Sequence, residues 1–468
     1  DYETFGLSPR VQRIAQFAGI RTDENLNILD EHMFYCKPTH DCLPAPEACA
    51  VTGITPQLCE QKGLIEHEFI KKINKEFTVP QTCIVGYNSI AFDDEFTRHT
   101  LFRNFLDPYA WHWQNGNTRW DILNVARFCY AHKEHESLEW VKNENNRPIF
   151  KLDRLAPANS IDHTNAHDAM ADVRATIGIA KIIQETQPVF FNYALSLNEK
   201  KEVSRQVKLL HPMLLTSSSF GYKCSFTRMV TALCYHPDYP DRAIVFNLEQ
   251  DPEIILELDS NELKTLVFTK KSDLPKGVDK LELNELIFNK SPMFVCSPKP
   301  DNFKLSPLLI EKLQVDMDKC MKNLSYIQNN QKRIEKTVQS IYKKDPEREM
   351  SNDIDQSLYD NFVSNKDRKI CNHIQSLSSN EIGLLNPNFE DRRLLKLFLN
   401  FKARNYPELL SEDEQEEWFE IVQSRVQNGE NGFLSFDSFE NSLDNLKTSK
   451  PEKHKLWQDL EAYAQTFL

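Results

Sequence analysis

Asp1 and Glu3 are separated by one residue, and on a β-strand residues i and i+2 share a face. Both carboxylates would then point one way while Tyr2 points the other. Two adjacent carboxylates repel, and their pKa values separate unless a cation lies between them. A second acidic group follows the apolar, β-branched run Cys83–Asn88, which reads as a buried strand. There Ser89-Ile90-Ala91-Phe92-Asp93-Asp94-Glu95 opens a helix with Phe92 and Phe96 inward. The third group is His167 and Asp172. Met170, Val173, Ile177 and Ala180 recur at helical spacing, so the residues from Asp168 read as a buried amphipathic helix, with His167 just before it or in its first turn. A carboxylate on a helix that packs inward is costly unless it binds something. Oxygen-only, carboxylate-rich sites suit Mg²⁺ or Mn²⁺.

Between the second and third groups, Tyr109-Ala110-Trp111-His112-Trp113-Gln114-Asn115 sets three aromatics in a polar stretch, with Arg98, Arg103, Arg119 and Arg127 around it in sequence. Rings that stack on unpaired bases, interleaved with guanidiniums that follow phosphates, suit a single strand. Packing in a core accounts for Trp111 and Trp113 equally well.

The elements that must position these groups follow from pattern. Residues 1–187 alternate strand-like runs such as Ile28 to Phe34 and Ile84 to Tyr87 with helical ones, which predicts an α/β domain. Val51-Thr52-Gly53-Ile54-Thr55-Pro56-Gln57 reads as a turn. Gln187-Pro188-Val189-Phe190-Phe191 closes that domain. Residues 188–343 read as a β-rich domain with a helical extension, from the alternating runs Arg242–Leu248 and Glu253–Leu258 and the helical pattern Ser306 to Met321. Lys343-Lys344-Asp345-Pro346-Glu347-Arg348-Glu349 reads as a linker, and residues 344–468 as a helical domain with helices at Arg392–Phe401, Glu412–Val426 and Leu456–Leu468.

Composition agrees with several domains of an ordinary globular protein: 468 residues, 40% hydrophobic and 27% charged. No apolar run is long enough to span a membrane, and no signal-like start is present. Eleven cysteines without a Cys-x-x-Cys pair fit a reducing cytoplasm. Cys36, Cys42 and Cys49, with His40 between, match no common zinc spacing. A net charge of −13 argues against coating duplex DNA, but a local positive groove would still hold a strand.

In order, the chain offers Asp-x-Glu, Asn-x-x-x-Phe-Asp-Asp and His-x-x-x-x-Asp. This resembles the three motifs of the DEDDh family of 3′→5′ exonucleases. "DYETFG", "VTGITPQ", "FTVPQTCIVGYNSIAFDDE", "DPYAWHWQ", "RWDIL", "NAHDAMADV" and, further on, "KARNYPELL" resemble the bacterial exonuclease I family within it. The resemblance implies a ribonuclease H-like α/β exonuclease domain with a mixed central sheet, then an SH3-like β-rich domain and a C-terminal α-helical domain. It implies two-metal hydrolysis of single-stranded DNA from the 3′ end, releasing 5′-mononucleotides, in repair and recombination. Asp1, Glu3 and Asp172 would bind two Mg²⁺, with Mn²⁺ able to substitute, and His167 would be the general base. Motif spacing points to Asp93 for the second ion. The helical face shared with Arg98 favours Asp94, toward which the reading leans. Glu3, His99, Gln114, Arg127 and Lys151 are expected to touch the strand, and the Val51–Gln57 segment to line the site. Lys151 stands where the family tends to carry Arg, which keeps the charge but loses the fork. The implied partner besides DNA is the tail of the single-stranded DNA-binding protein, and a monomer is expected. In this family an apolar strand leads to the first aspartate, so a segment before Asp1 is expected. An exoribonuclease, a non-catalytic strand-binding module and a proofreading subunit are the competing readings; the length of chain beyond residue 187 favours DNA over RNA.

Overall fold

Pairing of the first strand sets the site. The computed structural model describes residues 1–133, 137–163, 168–296, 305–344 and 350–467. β1 (Tyr2–Thr4) is buried along its length and pairs antiparallel with β2 (Ile14–Thr22), Tyr2 opposite Phe17 and Glu3 opposite Gln16. β2 pairs antiparallel with β3 (Ile28–Tyr35). Alternation sends Tyr2 into the core, its ring 5.6 Å from Phe17 and its hydroxyl 2.9 Å from the Thr97 hydroxyl. Asp1 and Glu3 are thereby left on the other face. Ile14, Phe17, Phe69, Ile70, Ile73, Phe96 and Trp111 complete this core.

β4 (Cys83–Gly86) leads into the Asp93–Arg103 helix, and β5 (Thr118–Asp121) follows the aromatic stretch. That stretch divides its two tryptophans. Trp111 is fully buried, its indole N–H donating to the Pro108 carbonyl at 3.0 Å, whereas Trp113 is 62% exposed. Core packing therefore explains the first ring and leaves the second available.

The Ala169–Thr186 helix is present, but of the expected stripe only Ala180 is buried. Ala175, Thr176, Ile179, Ala180 and Ile183 are buried; Met170, Val173 and Ile177 are only half-buried. Asp172 lies four residues before Thr176 and seven before Ile179, at the N-terminal end of the buried face. Met170, Val173 and Ile177 made an equally apolar stripe, and sequence periodicity alone did not separate the two.

The compact units do not follow chain order. The described residues of Asp1–Thr118, His163–Ile177 and Glu349–Leu468 form one unit; those of Arg119–Asp162 and Gly178–Arg348 form the other. In the first, Phe5, Leu43 and Ile54 share a core with Val426, Phe439, Trp457 and Leu460. Phe102 and Phe105 share another with Ile374, Leu397 and Phe401. The Val51–Gln57 segment thus packs on the C-terminal helices, and the Gln57 side-chain amide donates through Nε2 to the Asp459 carbonyl. Alongside these cores lies a buried ion network. Arg425 meets Asp41 at 2.7 Å, Asp355 at 2.8 Å and Asp353 at 2.9 Å; Arg404 meets Asp355 at 2.6 Å; Arg103 meets Glu66 at 2.9 Å; Arg13 meets Asp41 at 2.5 Å.

The second unit is built on an antiparallel sheet ordered β10-β6-β7-β8-β9, with β6 (Pro212–Thr216), β7 (Thr227–Tyr235), β8 (Arg242–Asn247), β9 (Leu283–Ile287) and β10 (Met293–Cys296). The helices Met317–Asn329 and Gln331–Tyr342 cover it through Leu324, Ile327, Ile334 and Val338. The run Glu253–Leu258, expected as a strand, holds the helical turn Ile254–Glu257 instead. Asp251 accepts from the Glu253 amide at 3.0 Å just before it, and such side-chain turn chemistry outweighs a short alternation. The Ser306–Met321 pattern is two helices, broken at Gln314 with φ 54°. Of the expected linker, residues 345–349 lie outside the described residues.

Candidate active site

Three segments far apart in sequence deliver the acids. β1 brings Asp1 and Glu3; the first turn of the Ala169–Thr186 helix brings Asp172. That helix is started by Asp168, whose carboxylate accepts the amides of Met170 at 3.0 Å and Ala171 at 3.2 Å. Among the described residues, Asp1, Glu3 and Asp172 are the one group of three or more His, Cys, Asp or Glu able to hold a metal ion, their ligand oxygens within 4.8 Å of one another. The Cys36, Cys42, Cys49 and His40 set does not form such a group.

Asp93 and Asp94 part company at the start of their helix. Asp93 accepts the Tyr2 amide at 2.9 Å, which ties it to the strand carrying Asp1 and Glu3. Asp94 is 3% exposed, and its amide donates to the Ser89 carbonyl at 2.9 Å. The face shared with Arg98 exists, but Arg98 takes Glu95 as its ion pair, at 2.7 Å. Of the two acids, Asp93 is the one hydrogen-bonded to β1.

The electrostatics are those of a cluster short of positive charge. Burial, then Asp172 and Asp93, push Glu3 up to about 8. Burial, with Asp94 adding to it, pushes Asp93 up to about 6. A divalent cation would relieve both, because it favours the charged forms. An all-carboxylate oxygen donor set fits a hard cation such as Mg²⁺ or Mn²⁺.

His167 lies outside the described residues. The structure brings forward another histidine: His163, 8% exposed, hydrogen-bonds through Nε2 to Asp172 Oδ1. The sequence reading passed over it because it stands outside the motif; a second histidine four residues before His167 was the available signal.

The expected strand contacts fare unequally. His99 is 1% exposed, and burial, followed by Arg103, lowers its pKa to about 3. It faces the interior, edge-on to Tyr359 at 5.9 Å, and offers a strand nothing. Its neighbour Arg98 lies over the Tyr109 ring at 5.7 Å. Gln114 is exposed beside Trp113. In the second unit, Arg127 lies 6.0 Å from the Phe150 ring and donates to Asn124 at 3.0 Å. Lys151 is exposed next to Phe150 and precedes the Leu152–Ala158 helix.

Carboxylates converging from a buried strand and two helix starts make a set able to hold a divalent metal, the kind of site found in metal-dependent nucleases. Residues 1–180 match the family "Exonuclease", 198–344 the "Exonuclease I SH3-like domain" and 352–467 the "Exonuclease I C-terminal domain". The chain is 38% identical over 467 residues to exodeoxyribonuclease I of Haemophilus influenzae, covering 99% of this chain and 97% of that protein. It is similar to the zinc-bound crystal structure of an Escherichia coli exonuclease I–ssDNA complex, with TM-score 0.91 and 36% identity over 100% of this chain and 98% of that one. It is also similar to an SSB/exonuclease I structure in complex with an inhibitor, with TM-score 0.89 and 34% identity over the same shares. The chain belongs to the exonuclease I family. Its fold is a ribonuclease H-like exonuclease domain, an SH3-like domain and a C-terminal helical domain.

Proposed function

We propose that this chain is an exodeoxyribonuclease that degrades single-stranded DNA from its 3′ end, releasing 5′-mononucleotides. The observation that carries the reading is the convergence of Asp1, Glu3 and Asp172, with Asp93 tied to the same strand. Asp1, Glu3 and Asp172 hold divalent metal, and Asp93 supports a second ion. When bound, Mg²⁺ or Mn²⁺ supplies Lewis-acid stabilisation of the phosphodiester and a more acidic water. His167 takes a proton from the attacking water, worth roughly 10²–10⁴-fold in rate. His163 orients Asp172, as partners of ligating side chains do. Trp113 and Gln114 are strand contacts, the exposed ring by stacking, and Arg127 and Lys151 are cations suited to phosphates.

No helix among the described residues is long and apolar enough to cross a membrane. None of the eleven cysteines is in a disulfide among the described residues, which supports a reducing cytoplasm. An SSB-type protein is the proposed partner, and repair and recombination the setting, from the likeness to that assembly. The test compares DNA and RNA oligomers of one sequence, 3′-labelled, with Mg²⁺ or EDTA. Mononucleotides released from DNA, in Mg²⁺ alone, are expected. Equal cleavage of RNA, or DNA cleavage unaffected by EDTA, would remove the reading.

A further inference from the structure

We infer that the second unit carries an additional single-strand subsite, an aromatic–arginine platform made by Tyr222 and Arg147 with Lys223 beside it. The inference rests on the reading of Arg127 and Lys151 as strand contacts and extends that surface.

The platform is joined to those residues by rings. Phe150, next to Lys151 and beneath Arg127, meets Phe226 edge-on at 5.3 Å. Tyr222 and Phe226 belong to one tight loop, closed by the Phe226 amide on the Gly221 carbonyl at 2.9 Å and the Ser225 amide on the Tyr222 carbonyl at 3.0 Å. Both Ser225 and Phe226 take positive φ, 51° and 61°. A bulky ring in the left-handed region is strained, and the loop accepts that strain to hold Phe226 against Phe150. The second half of the platform comes from a hairpin. The Asn143 amide donates to the Arg147 carbonyl at 2.9 Å, and Asn146 turns the tip at φ 57°. The hairpin holds the exposed Arg147 guanidinium 4.6 Å from the Tyr222 ring centre.

Charge indicates the ligand. The whole chain is acidic, at −13, yet Arg147, Lys151 and Lys223 are exposed and form no ion pair with a carboxylate among the described residues. Exposed cations without a carboxylate partner, one of them stacked on the half-exposed Tyr222 ring, match a phosphate backbone bearing unstacked bases, and stacking needs no particular sequence. An acidic peptide would use the cations but not the ring face.

The experiment uses the full chain in EDTA, where turnover stops, with fluorescent oligothymidylates of about 4 and about 16 nucleotides. Tyr222→Ala combined with Arg147→Gln is expected to weaken the long oligomer about tenfold, leave the short one unchanged, and flatten the salt dependence by about 0.7 per lost phosphate contact. Tyr222→Phe and Arg147→Lys, which keep ring and charge, should retain most of the affinity. Unchanged affinity for the long oligomer in the double variant would overturn the inference. So would a loss with Tyr222→Phe as large as with Tyr222→Ala, or an acidic peptide whose binding falls while the oligomer's does not. Lys151→Ala separates the two levels. If it weakens binding and the double variant does not, the strand-contact reading stands and the platform falls; if neither weakens binding, both fall.

Discussion

The first unit contains two clusters of buried carboxylates, and their surroundings are opposite. Asp41 and Asp355 sit among Arg13, Arg404 and Arg425. Burial alone would raise their pKa values, but the guanidiniums outweigh it and hold both well below the usual carboxylate range. Glu3 is buried and Asp93 half-buried; both lack an arginine partner among their principal influences and are pushed up to about 8 and about 6. One cluster is neutralised by its own chain and fastens helices together. The other has no such partner, so its ionised form is disfavoured, and a divalent cation would relieve that. Burial of acids does not distinguish structure from function; the source of the compensating charge does.

Several substitutions would break or sharpen this contrast. The largest effect is expected from ending the chain after residue 187, which removes Asp353, Asp355, Arg404 and Arg425 from the network. Phe5, Leu43 and Ile54, with Phe102 and Phe105, would lose the C-terminal side of their cores, and the pairs Arg13–Asp41 and Arg103–Glu66 would lose their cover, so the fragment should not fold. Circular dichroism showing a cooperative melt of that fragment would mean the network is dispensable. Asp172→Asn should lower exonuclease turnover by orders of magnitude while the melting temperature holds or rises, since it relieves repulsion around Glu3. Retention of tens of per cent of the rate in Mg²⁺ would detach Asp172 from the metal role. Asp355→Asn should do the reverse, costing about 3–5 kcal/mol of stability by stranding Arg404 and Arg425, with turnover per folded molecule kept. Between the paired acids, Asp93→Asn should impair catalysis more than Asp94→Asn. Equal rates from the two variants would return the second-metal role to open question.

The smallest effect is on stability against pH. Glu3 and Asp93 have folded-state values above their ordinary ones, so their contribution is fully present at low pH. It is lost as pH rises through about 6 and about 8. Asp41 and Asp355 have depressed values, so theirs is present above the ordinary carboxylate range and lost only in strong acid. In EDTA the melting temperature should therefore fall modestly between pH 5 and pH 8, and Mn²⁺ should cancel the fall. A melting temperature that is flat with pH in EDTA would mean Glu3 is not under electrostatic pressure.

Legibility from sequence divides along the same line. The acids that converge in the candidate site were readable because each sits inside a local pattern: i, i+2 for Asp1 and Glu3 at the first strand, and a helix start for Asp93 and Asp172. The ion network was not readable, because Arg425 meets Asp41 across 384 positions and no local pattern marks either. Side-chain direction was the weaker part even near the site. The same helix start offered Asp93 and Asp94, and only the Tyr2 amide separates them. His99 looked polar and available, yet Arg98, one position earlier, is the residue that lies against Tyr109. The tryptophans show the same limit: two rings two residues apart, one core and one exposed.

The most direct test of the contrast is metal binding itself, followed by calorimetric titration of Mn²⁺ into the metal-free full chain, wild type against Asp172→Asn and Asp355→Asn. Binding is expected in the wild type and in the folded fraction of Asp355→Asn, and its loss in Asp172→Asn. Binding heat unchanged in Asp172→Asn, or absent from the wild type, would contradict the assignment of the uncompensated acids as the metal site.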